Sequence, residues 1–127
     1  YYSNASDIRF YNVTGPGLSS GARFRFTTFG FLVEAEVVEY EPPVNGHPAR
    51  VAWHGWAGKE GSAERLDVIH AWLVEDLEGG RVRILTQESQ KGQPAQKLAA
   101  SKPNIMINGH QEWLTGLVDA ARKSKAK

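Results

Sequence analysis

From Gly21 to Gln90 the large apolar residues fall at alternate positions, and beyond Gln90 they recur at intervals of three and four. A period of two sends side chains to opposite faces of a strand, whereas a period near 3.6 gathers them on one stripe of a helix. A chain that runs through the first pattern and then the second predicts an α+β domain: an antiparallel sheet with one apolar face and a C-terminal helix laid over it. Function is expected in the interior between the two.

The hairpin near the start sets the register. Phe24, Phe26 and Thr28 alternate with Arg23, Arg25 and Thr27, Phe29-Gly30 occupies the turn, and the extended pattern resumes from Phe31 to Tyr40. Counting outward from that turn pairs Phe26 with Val33 and Phe24 with Ala35, which leaves Glu34 and Glu36 on the other face, opposite the arginines. Cross-strand ion pairs are expected there, not a pair of catalytic carboxylates. Pro42-Pro43 ends the strand, since proline cannot donate to a ladder. Strands are then expected from Arg50 to Trp56, from Glu64 to Glu75 and from Arg81 to Gln90, with an earlier one over Ser6 to Val13.

In the strand from Glu64 to Glu75, Leu66, Val68, His70, Trp72 and Val74 share a face and carry the bulk. Treating Asp76 to Gly80 as the turn places Val74 opposite Val82, Trp72 opposite Ile84 and His70 opposite Thr86, with Glu88 one diagonal step away. Pro94 to Ala100 reads as a short helix. From Asn104 to Ser124, Met106, His110, Trp113, Leu114, Leu117 and Ala121 make one buried stripe, and the closing lysines suit a helix C-terminus.

Composition narrows the function. The 127 residues carry a net charge of +1 without a concentrated basic face, so no nucleic-acid partner is expected. No stretch approaches the ~20 apolar residues of a membrane span. The absence of cysteine excludes disulfides and thiolate metal sites, and a cytoplasmic location is expected. The chain reads as a single domain over residues 1–127, a monomer or homodimer, and the initial Tyr1 predicts that the natural protein begins upstream.

The strand order, the run Gly21-Ala22-Arg23-Phe24-Arg25-Phe26, the segment Val37 to Pro43 leading to Val51-Ala52-Trp53, and the final Trp-bearing helix resemble the START/SRPBCC superfamily, in its polyketide cyclase/dehydrase and lipid-transport branch. The resemblance spans nearly the whole chain and marks a fold, not a reaction. It implies a helix-grip fold, in which an antiparallel sheet curls round a long C-terminal helix and encloses an apolar cavity. Superfamily members usually begin with a strand and two short helices, and this sequence starts near the end of the second, around Tyr1-Tyr2.

On that footing the expected function is binding of a hydrophobic or aromatic small molecule, without a cofactor. Phe24, Phe26, Val33, Trp53, Trp72, Ile84 and Trp113 form the expected walls, with Thr86 and His110 as polar contacts. His70 and Glu88 are the candidate catalytic pair for a cyclase- or dehydratase-type alternative, because a carboxylate beside an imidazole orients it and favours its charged form. The competing reading makes His70 a satisfied core polar group. A further alternative is an interaction module like the chaperone-activating members of the superfamily. His70, His110 and Glu88 surround one volume, but no tight ligand spacing accompanies them and no metal is expected. His47 and His54 are expected to be solvated only.

Overall fold

The structure is a computed structural model that describes residues 4–15 and 17–126. Six strands form one antiparallel sheet in sequence order: β1 (Ala5–Phe10), β2 (Arg23–Thr28), β3 (Phe31–Glu41), β4 (Ala49–Ala57), β5 (Leu66–Leu77) and β6 (Arg81–Lys91). Two helices follow, α1 (Gln93–Ala100) and α2 (Ile105–Lys125). The protein is therefore α+β, a six-stranded open antiparallel sheet with a C-terminal helix. The helix end expected at Tyr1-Tyr2 lies outside the described residues.

The β2–β3 hairpin has the register read from its sequence, with Phe26 opposite Val33 and Phe24 opposite Ala35. Its two-residue turn puts both Phe29 (φ 48°) and Gly30 (φ 79°) in the left-handed region, the backbone twist that matches paired strands. Two bulges break the regular ladder. In β1, Asp7 at φ 53° shifts the pairing between Ser6 and Arg9, and in β3 the shift falls between Val37 and Glu39. A bulge bends its strand and increases local twist, which suits a sheet that carries a helix on one face. The strand expected over Ser6 to Val13 thus begins and ends earlier, and Asn12 instead ties down β2: its side chain accepts from Arg23 N at 2.7 Å and donates to Gly21 O at 3.0 Å.

The β5–β6 register differs from the expected one by two residues. Val74 faces Ile84, Trp72 faces Thr86 and His70 faces Glu88. β5 runs past its expected end at Glu75 to Leu77 while β6 begins at Arg81 as expected, because Gly79 and Gly80 at φ 75° and 69° close the chain within a tighter turn. The consequence is local to the site. Glu88 moves from the diagonal to a direct cross-strand position beside His70.

The main core lies on the face carrying Phe24, Phe26, Val33, Ala35, Val37, Trp53 and Trp72, with Trp113, Leu114 and Leu117 of α2 packed against it. A second cluster of Ala57, Leu66 and Val68 is covered by Phe31 and by Ala95 of α1. The side chain of Asn104 caps α2 by accepting from Met106 N at 3.0 Å and Ile107 N at 3.4 Å. Arg122, Lys123 and Lys125 occupy its last turn. The expected helical stripe is correct as far as Leu117, but Ala121 is exposed because α2 continues past the covered part of the sheet. The expected interior placement of Val74 also fails at that end of the sheet, where Val74 is exposed.

Gly92 joins β6 to α1 at φ 119°, and a Cβ built there would lie 2.0 Å from the carbonyl oxygen of Arg65. Gly92→Ala is therefore expected to cost about 2 kcal/mol through backbone strain. Urea denaturation checks this, and an unchanged midpoint would show that the junction relaxes freely.

Candidate functional site

His70 stands mid-way along β5 on the core face, 1% exposed, between Trp53 of β4 and Glu88 of β6. Aromatic rings enclose it. Its ring centroid lies 4.9 Å from Trp53 and from Trp72, 5.1 Å edge-on from Trp113 and 5.0 Å from His110. Alternation on β5 and the Met106–His110–Trp113 spacing on α2 therefore aim both imidazoles into one space.

Glu88 joins them. Its Oε2 lies 3.0 Å from His70 Nδ1 and 3.4 Å from His110 Nε2, while its other oxygen accepts from the Gln90 amide. On its opposite side His70 Nε2 lies 2.7 Å from Thr86 Oγ1, and the Thr86 hydroxyl donates to the Ala71 carbonyl at 3.2 Å. Burial pushes the Glu88 carboxyl up, yet hydrogen bonds from His110 and His70, the charge of His70 and the Gln90 amide outweigh it and hold Glu88 at about 2. The site thus keeps an ionised carboxylate with only 9% of its side chain exposed.

The cavity beside this trio is small, about 50 Å³, and Phe26, Val33, Trp53, Leu66, Val68 and Trp113 are among the residues that line it. Of the residues expected to wall it, Phe26, Val33, Trp53 and Trp113 do so, and His70, Glu88 and His110 supply the polar end. Phe24 and Trp72 pack in the core instead, Ile84 packs against that core, and Thr86 acts through His70. Leu66, Val68, Gly55, Gln90 and Leu98 also line the space. Leu66 and Val68 were marked by sharing the alternation of His70, and Gln90 follows Glu88 at the same period. Leu98 had no signal, because its position depends on how α1 folds back.

His70, Glu88 and His110 each offer a ligand atom, and those atoms all lie within 4.8 Å of one another. This is the one place among the described residues where three metal-competent groups converge.

A second ionic cluster sits on the other face of the sheet. Arg65 grips Asp67 through two bonds of 2.8 Å, and His54 Nε2 lies 3.0 Å from the same carboxylate, so His54 is more than the solvated residue expected. The Arg65 bonds, opposed by slight burial and assisted by His54, hold Asp67 at about 2. Arg23 pairs with Glu36 at 3.9 Å as expected. Arg25 stands opposite Glu34 in register, but its Nε is buried without a hydrogen-bond partner, and Tyr11 donates to Glu34 instead at 3.0 Å. Among the described residues no helix is long and apolar enough to cross a membrane.

No protein-family model matches the chain, and no curated protein matches it. A crystal structure of hypothetical protein jhp0584 from Helicobacter pylori does, with a TM-score of 0.86 and 54% sequence identity over 94% of this chain and 70% of that one. Likeness of that extent in both sequence and backbone places this chain in the same family as the Helicobacter pylori protein jhp0584.

Proposed function

We propose that the protein binds a small hydrophobic or aromatic molecule between the sheet and α2, as a member of the START/SRPBCC superfamily with a helix-grip fold. The observation that carries this reading is a polar trio, His70, Glu88 and His110, built around an ionised carboxylate at the end of an otherwise apolar space. Small-molecule sites take that form: apolar walls provide affinity and a few placed polar groups fix orientation. The six-stranded antiparallel sheet and its C-terminal helix are compatible with such a grip.

A space of about 50 Å³ is far below the roughly 300–1,000 Å³ of a drug-sized ligand site. Ligand uptake therefore requires α2 to swing away from the sheet. The helix is suited to do so, since Gly109 is its one buried residue and its hold on the sheet runs through partly buried side chains such as Trp113 and Leu117. His70, Glu88 and His110 would then meet the polar end of the ligand. A cyclase- or dehydratase-type reaction is the second reading, favoured by the 3.0 Å contact of His70 with Glu88, in which His70 moves a proton and Glu88 orients it.

Titration with 1-anilinonaphthalene-8-sulfonate, followed by tryptophan energy transfer, tests the binding reading. One saturable site is expected, with Trp113→Ala weakening it about tenfold by removing one aromatic wall. Binding that is unsaturable, or equal in the variant, sinks the proposal.

A further inference from the structure

We infer that His70, Glu88 and His110 form a binding site for a divalent first-row transition metal ion. The inference goes beyond the small-molecule reading, because a metal ion would bind whether or not an apolar ligand does.

The first argument is distance. Metal–nitrogen and metal–oxygen bonds of about 2.0–2.2 Å set neighbouring ligand atoms roughly 3.0–3.5 Å apart in octahedral or tetrahedral geometry. The carboxylate oxygen of Glu88 lies 3.0 Å from one imidazole nitrogen and 3.4 Å from the other, so both of its edges have that length. The remaining edge, between the two imidazole nitrogens, is no longer than 4.8 Å.

The second argument is hydrogen bookkeeping. The Ala71 carbonyl can only accept, so the Thr86 hydroxyl gives its hydrogen there and accepts from His70 Nε2–H. A neutral His70 of that tautomer turns its Nδ1 lone pair toward Glu88 Oε2, lone pair against lone pair at 3.0 Å. A cation must lie between them. Either a proton on Nδ1 or a metal ion satisfies the contact, and His110 Nε2 aimed at the same oxygen suits the metal, which all three groups can share.

The surroundings match what metal sites need. Thr86 fixes the His70 tautomer and Gln90 holds the second oxygen of Glu88, the outer-shell support that orients ligands. Two imidazoles and one carboxylate leave further coordination positions facing the apolar cavity, and such a donor set suits Zn²⁺, Fe²⁺ or Co²⁺ rather than Mg²⁺ or Ca²⁺. An open position in an apolar space is also what a catalytic metal requires.

The test is titration of chelator-stripped protein with Co²⁺, read by its visible d–d absorption and by calorimetry. One ion per chain is expected. His110→Gln, a change at the half-exposed face of α2, should weaken binding ten- to hundredfold, while His54→Gln and His47→Gln leave it unchanged. In the wild-type chain, Co²⁺ should also broaden the NMR signals of the His70 and His110 rings and spare those of His54, a readout that requires no variant to fold. Absence of binding at millimolar Co²⁺, or binding lost with His54 and kept with His110→Gln, overturns the metal and assigns the position to a proton. The anilinonaphthalene titration is independent, so loss of the metal site and loss of the apolar site are separately visible.

Discussion

Trp53→Ala is expected to remove about 3–5 kcal/mol of stability, the range for deleting a large buried aromatic side chain. Trp53 sits where the core meets the site. Its ring centroid lies 5.8 Å from Phe24, 6.3 Å from Trp72, 6.0 Å from Trp113 and 4.9 Å from His70, so it links β2, β5 and α2 at once. A domain of this size has about 5–15 kcal/mol in total, so the loss takes a large share of it. With a urea slope of about 1–3 kcal/mol/M, the unfolding midpoint should fall by roughly 2 M. Trp113→Ala should fall less, because Trp113 is only half-buried and α2 retains Leu114 and Leu117. A loss below about 1 kcal/mol at Trp53, or a larger loss at Trp113, would show that the helix and not the sheet anchors the core.

Much of this arrangement was legible in the residues. The β2–β3 register followed from alternation plus a two-residue turn, since a turn of that length admits one pairing and that pairing puts Phe24, Phe26, Val33 and Ala35 on one face. The inward aim of His70 followed from the same rule on β5, and that of His110 from its helical spacing with Met106 and Trp113. The β5–β6 register did not follow, because Asp76-Leu77-Glu78-Gly79-Gly80 is compatible with more than one loop length and a shift of two residues preserves every face. That ambiguity hid the direct His70–Glu88 pairing. The bulges at Asp7 and Val38 were also illegible: one extra residue in a strand leaves no mark on composition.

The convergence of His70, Glu88 and His110 illustrates why local spacing understates such sites. The residues are far apart in sequence and meet only because neighbouring strands pair and α2 returns across their apolar face. Ligand motifs with tight spacing belong to sites built on one loop or one helix. A site assembled across a sheet and a helix announces itself through burial, as a charged residue on a face that is otherwise apolar.

Acid should destabilise the metal-free protein through Glu88. Its carboxyl is held at about 2 in the folded chain against an ordinary value of 4.5, so the folded state favours the ionised form. A lowered folded value contributes stability that is fully present above the unfolded value and is lost as pH falls through the folded one. The window is therefore about pH 4.5 down to about 2, and the separation corresponds to about 3 kcal/mol. Glu88→Gln removes the ionisable group while keeping an acceptor near His70 and His110. The variant should be less stable than the wild type at pH 6, and the two should converge as pH approaches 2. Asp67 is also held at about 2, but it is part-exposed on the other face and screened by solvent, so Asp67→Asn should leave most of the acid loss in place. Urea midpoints measured with a chelator present at pH 6, 4 and 2.5 check this. If Glu88→Gln loses stability with acid as steeply as the wild type does, the buried carboxylate is not what holds β6 against β5 and α2, and the ionised form assigned to the site is wrong.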